Sequence, residues 1–137
     1  MRAIIDTSAW IWAERHPADP AAAELALALD TGVAATCAAV KLEILRGAGA
    51  ASEFDAVAAR LGGLAEAVID DRVCTLAGRI QRALAALPGS RHRPTPAIDL
   101  LVAAAAIVAD MAIVHRDRHF ETIAEVTRQP IRWLGPA

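Results

Sequence analysis

Lysine is almost missing from this chain of 137 residues: Lys41 stands alone beside thirteen arginines. Arginine offers a rigid fork suited to phosphate, but GC-rich coding would give the same bias, so the imbalance alone assigns no role. Cysteine is scarce as well. Cys37 and Cys74 are far apart, with no C-x-x-C and no His pair at zinc spacing. Neither a zinc site nor a disulfide scaffold is therefore indicated, and two buried, reduced thiols are expected. Long apolar runs are absent too: the longest uncharged one, Leu100 to Ala109, has ten residues, about half of what a membrane span needs. Near the N-terminus, Asp6 interrupts the apolar run too early for a signal peptide. These absences lead us to expect a soluble, cytoplasmic protein without a membrane partner. The formal charge of −2 also argues against bulk electrostatic coating of nucleic acid, while leaving room for a local basic rim.

What the chain has in quantity is apolar residues, 55% against 22% charged, the balance of a globular protein. Its length suits one domain spanning 1–137, large enough to bury most of its surface without staples. Abundant alanine favours helix.

The pattern predicts short strands alternating with helices. Ala3-Ile4-Ile5 is a strand, followed by a helix that Thr7 or Ser8 caps. Ala21 to Leu29 is a second helix, Val33 to Ala35 a brief strand, and Thr36 a cap for a helix running to Arg46. Ser52 to Leu61 is helical, and Leu64 to Ile69 holds a third strand. Val73, Leu76, Ala77, Ile80, Leu84 and Leu87 mark a long amphipathic helix. Thr95-Pro96 supplies a cap with proline at the first helical position, opening a helix to Asp110. Ala112 to Val114, Phe120 to Val126 and Pro130 to Leu134 complete the series as strand, helix and strand. Such alternation implies an α/β fold in three layers, a mostly parallel sheet of about five short strands flanked by helices. Function in such sheets gathers beyond the carboxyl ends of the strands.

Four acids stand out because each is embedded in a run that the chain should bury. Asp6 follows the first strand, where it could cap the next helix. Glu43 interrupts the apolar face of its helix, or pairs with Arg46 one turn on. Asp99 lies in the first turn of an all-apolar helix, where the macrodipole favours an acid. Asp117 sits in His115-Arg116-Asp117-Arg118-His119, among possible arginine partners. Each has a bland explanation taken alone. If the four converge, each pair at about 4 Å repels by roughly 4 kcal/mol in an effective dielectric of about 20, and protons or divalent cations must neutralise them.

At these residues the chain resembles PIN-domain nucleases. Asp6-Thr7-Ser8 after the first strand is similar to their opening motif, and Glu43-Ile44-Leu45-Arg46-Gly47 to their second. Ile98-Asp99-Leu100-Leu101-Val102-Ala103-Ala104-Ala105 resembles the third. Val114-His115-Arg116-Asp117-Arg118-His119-Phe120 resembles the fourth. All four occur in family order, across essentially the whole chain, and the length looks most like the VapC toxins of type II toxin–antitoxin modules. Two positions depart from the pattern. His115 stands where a small hydroxyl residue is common, and His119 where Asp is common; both could contact RNA or modulate metal binding, and surface or supporting roles are expected.

The resemblance implies a PIN-like fold and a ribonuclease that hydrolyses phosphodiester bonds of structured RNA, such as tRNA or rRNA, leaving a 5′-phosphate and a 3′-hydroxyl. It implies Mg²⁺ or Mn²⁺ as cofactor, with Asp6, Glu43, Asp99 and Asp117 as catalytic and metal-binding residues. Oxygen ligands suit these hard cations. Asp6 and Asp99 are expected as direct ligands, with Ser8 in support. Lys41, Arg46, Arg91, Arg93, Arg116 and Arg118 are candidates for holding the RNA backbone. A homodimer and a VapB-like antitoxin covering the acidic groove are implied as partners. Two other readings compete: a PIN-like domain that only binds RNA or protein, and a receiver-like phosphoacceptor. The latter needs a late lysine, which this chain lacks.

Overall fold

The computed structural model describes residues 1–137 and contains seven helices around one five-stranded parallel sheet. The elements in chain order are β1 (Ala3–Ile5), α1 (Thr7–Arg15), α2 (Pro20–Asp30), β2 (Ala34–Cys37), α3 (Ala38–Arg46) and α4 (Ala51–Leu61). Then come β3 (Ala65–Ala67), α5 (Asp71–Ala85), α6 (Ala97–Val108), β4 (Ala112–His115), α7 (Arg118–Thr127) and β5 (Ile131–Trp133). The three-layer α/β expectation holds, with every strand parallel to its neighbours.

Alternation along the strands builds two unequal cores. Ile4, Ala35 and Ile113 face a cluster of nineteen buried residues shared with α3, α5, α6 and α7. Ala3, Ile5, Ala34 and Val114 face a smaller cluster of eight, covered by α1 and α2. Side chains that point to opposite faces with a period of two account for this division. The larger core contains most of α6, whose Val102 to Ala106 are buried all round because small alanines let the helix lie close against the sheet and α5.

Strand order places the functional edge. In the order β3-β2-β1-β4-β5, the chain winds outward from β1 through β2 to β3, then returns to the other side of β1 as β4. The crevice at the carboxyl ends of β1 and β4 is thus the topological switch point. Three helices begin there: α1 after β1, α7 after β4, and α6, which runs antiparallel to the β4 it feeds.

Of the caps considered for α1, Asp6 is the one used, accepting the Ser8 N–H, so Thr7 and Ser8 are already helical. The other caps differ from the sequence expectation. Thr36 is buried in β2, and Cys37 precedes α3 without a capping side-chain bond. Pro96, not Thr95, is the residue before α6, and the Thr95 hydroxyl donates back to the Arg91 carbonyl. Cys37 is buried as expected, whereas Cys74 is exposed on α5. No helix is long and apolar enough to cross a membrane.

Candidate functional site

The four acids gather at the switch point: Asp99 and Asp117 come together with His119, while Asp6 and the exposed Glu43 stand close enough to act on Asp99 by charge. Asp6 and Asp117 are the N-caps of α1 and α7, directly after the adjacent strands β1 and β4. Asp99 lies in the first turn of α6. Three helix N-termini therefore direct their partial positive charge toward the same carboxylates, which offsets part of their repulsion. Glu43 reaches in from α3, where its carboxylate accepts the Thr7 hydroxyl at 3.3 Å.

Asp6 is held by one oxygen only. Its Oδ2 accepts both the backbone N–H and the hydroxyl of Ser8, and that hydroxyl accepts the Arg116 N–H at 3.0 Å. Its Oδ1 is buried and has no hydrogen-bond partner in the protein. A buried carboxylate oxygen without a donor costs about 1–3 kcal/mol or more when charged. Asp117 is held in a similar way, its Oδ1 accepting the His119 N–H at 2.9 Å.

Asp6, Glu43 and Asp99 are held above the ordinary carboxylate range. Burial pushes Asp99 up, and the charges of Asp6 and Asp117 push it further, to about 7. Asp6 is likewise held above the ordinary carboxylate range by burial, against the lowering effect of its bonds to Ser8. Glu43 is also raised, first by desolvation of its carboxyl end and then by Asp6; Arg46 opposes this shift. No Lys or Arg forms an ion pair with any of the four. The only such contact is His119, whose Nδ1 lies 3.2 Å from Asp99 Oδ2 and 3.0 Å from Asp117 Oδ1.

This donor set fits a divalent cation. One ligand atom from each of Asp99, Asp117 and His119 lies within 4.8 Å of the others. The unpartnered Asp6 Oδ1 and the shared excess of negative charge are what such an ion would satisfy.

The arginines are arranged differently. Arg91 makes a bidentate pair with Glu125 and donates to Thr122. The Arg116 guanidinium lies between Trp12 and Trp133, at 4.7 and 5.0 Å from the ring centres, and donates to the carbonyls of Leu134 and Pro136. Gly135, at φ 73°, passes so close to Trp12 that a Cβ would stand 2.7 Å from the indole. Arg118 pairs with Glu121 and lies near Trp133. Lys41 pairs with Glu66. Arg46 and Arg93 are exposed and form no ion pair.

The two histidines have opposite fates. His115 is fully buried against Phe120 and Trp133, its Nδ1 accepts the Asp117 N–H, and burial lowers its pKa. It is thus a neutral part of the floor and not the surface residue considered from the sequence. His119 faces the acids. Its contact with Asp99 joins residues twenty apart across two helices. The only sequence signal for it was the departure from the common acid at that position.

Residues 3–126 match the PIN domain family. The chain is 38% identical over 133 residues to ribonuclease VapC18 of Mycobacterium tuberculosis, covering 96% of this chain and 94% of that protein. It is 35% identical over 127 residues to ribonuclease VapC11 of the same organism, covering 90% and 92%. Among solved structures, DNA-bound VapBC from Salmonella typhimurium aligns with a TM-score of 0.71 at 18% identity, covering 97% of this chain and 98% of that one. VapBC-1 from nontypeable Haemophilus influenzae aligns at 0.70 and 17% identity, covering 97% and 96%. Motif order, fold and relatives agree: this chain belongs to the PIN domain family.

Proposed function

We propose that this protein is a metal-dependent ribonuclease, the toxin of a toxin–antitoxin pair, acting on structured RNA such as tRNA or rRNA. The observation that carries the reading is the convergence of four carboxyls without a Lys or Arg partner, one of them leaving a buried oxygen bare. Asp6, Asp99, Glu43 and Asp117 would hold Mg²⁺ or Mn²⁺. When bound, such a cation activates water and neutralises charge developing on the phosphodiester.

The protein's own residues prepare the site. Ser8 fixes Asp6 Oδ2 so that Oδ1 is left for the cation. Thr7 steadies Glu43, and the start of α7 steadies Asp117. Arg116 supports from behind, since its backbone holds Ser8 while its side chain is spent on the C-terminal carbonyls. Arg46 and Arg93 are the exposed, unpaired cations best suited to RNA phosphates; such contacts position a strand without reading its sequence. The VapBC neighbours and VapC relatives support a VapB-like antitoxin as partner, and the family resemblance supports a homodimer. An antitoxin arginine reaching the carboxylates would inhibit by supplying the missing positive charge.

Protein freed of antitoxin should cleave structured RNA with Mg²⁺ or Mn²⁺ and lose at least about 100-fold of that activity in Asp6→Asn or Asp99→Asn. Circular dichroism should show both variants folded. Undiminished cleavage in excess chelator would sink the metal assignment.

A further inference from the structure

We propose that His119 is itself a ligand of the divalent cation, through Nδ1, and that this nitrogen tilts the site toward Mn²⁺ over Mg²⁺. The inference rests on the metal-dependent reading above and adds a residue that the four-acid account leaves out.

In an octahedral shell with bonds of about 2.1 Å, adjacent ligand atoms stand about 3.0 Å apart. His119 Nδ1 lies 3.0 Å from Asp117 Oδ1 and 3.2 Å from Asp99 Oδ2, so it already occupies an adjacent-ligand position to both. A single ion placed against the two carboxylate oxygens would find the imidazole nitrogen at coordinating distance with little movement. The ring sits in the first turn of α7, where the backbone N–H of His119 also binds Asp117 Oδ1. That bond ties the ring's approach to the acid it would share the ion with.

Asp6 is 4% exposed, and its Oδ1 has no partner, so the same crevice contains a buried oxygen that lacks a positive group. His119 bonds Asp99 and Asp117 and leaves that oxygen unsatisfied. An imidazolium counter-ion would therefore complete only half of the site. A divalent cation held by Asp99, Asp117 and His119 brings into the crevice the further positive charge that Asp6 lacks.

Ligand chemistry then gives the selectivity. Mg²⁺ prefers oxygen and retains its waters, whereas imidazole favours the transition metals. Replacing the acid common at this position by an imidazole removes one negative charge, which weakens both ions, and adds one softer donor, which favours Mn²⁺ over Mg²⁺. His115 cannot substitute, because its Nδ1 is engaged by the Asp117 N–H and its Nε2 is sealed in the core.

Pulsed electron paramagnetic resonance on the full chain loaded with Mn²⁺ tests this directly. The wild type should show ¹⁴N coupling that becomes ¹⁵N coupling after ¹⁵N-histidine labelling, a readout that needs no variant. His119→Asp should bind Mn²⁺ without that coupling, and competition titration should show its Mn²⁺-to-Mg²⁺ affinity ratio lowered by about tenfold. Stoichiometric Mn²⁺ binding by the wild type with no histidine coupling overturns the proposal and leaves the metal-dependent reading standing. So does coupling that persists in His119→Asp. Absence of Mn²⁺ binding, or binding that survives in Asp99→Asn and Asp6→Asn alike, overturns both.

Discussion

Carboxylates and guanidiniums are treated in opposite ways at the carboxyl edge of this sheet. The acids are gathered, partly buried and left without Lys or Arg, whereas most of the surrounding arginines are bound to partners of their own. Arg91 has Glu125, Arg116 has two carbonyls and two indoles, and Arg118 has Glu121. A domain selected for stability alone would exchange these partners, since a lone buried charge is far costlier than an exposed one. The unpaired region is therefore the one to which the proposed cation would contribute most, while the paired arginines tie segments of the fold together.

The largest effect that should expose this difference is the response to pH. The Asp99 carboxyl keeps its proton up to about 7 in the fold, but gives it up near 3.8 in an unfolded chain. Between these values the native state binds more protons, so the stability this group contributes is complete below about pH 4 and is lost as pH rises through 7. Melting of metal-free protein should accordingly move to lower temperature from pH 5 to pH 8, and Mn²⁺ should flatten that slope. A melting temperature that rises over the same interval without metal would contradict the electrostatic account.

A smaller effect concerns one charge at a time. Asp99→Asn removes a repelling group, so at pH 8 in chelator it should stabilise the protein on the order of 1 kcal/mol, or roughly 4 °C. It should also abolish the stabilisation that Mn²⁺ gives the wild type. A variant less stable than wild type in chelator would show that the acids are not in conflict.

The smallest effects should separate the two kinds of arginine. Arg91→Ala breaks an ion pair with half-exposed partners and should cost up to about 1 kcal/mol of stability, with the salt dependence of RNA binding unchanged. Arg93→Ala should leave the melt alone and reduce the salt slope by about one. An exchange of these outcomes would reverse the assignment of frame and rim.

Much of the candidate site was legible because Asp6, Asp99 and Asp117 stand at strand ends and helix starts, which pattern and capping chemistry reveal, while Glu43 was read from its place on the α3 face. The capping role of Asp6 was among the sequence readings, beside Thr7 and Ser8, but its bare oxygen was not legible, because burial of Oδ1 without a donor depends on packing between distant segments. Thr36 misled for a different reason: a good cap residue was drawn into β2 by its pairing with Glu66. The arginine partners depend on packing between segments far apart in the chain. Arg91 meets Glu125 across thirty-four residues and Arg116 meets Pro136 across twenty, distances at which local pattern carries no signal. His119 was undervalued on the same ground.

The latch formed by Arg116 has a consequence for biosynthesis. Asp6 directly follows β1, yet its orientation depends on Ser8, which depends on the Arg116 backbone, whose side chain is anchored by Leu134 and Pro136. The site is thus closed by residues synthesised long after the acid they align. A nascent chain carries Asp6 without the means to align it until the segment around Leu134 and Pro136 has emerged and docked, so the competent geometry comes late in folding.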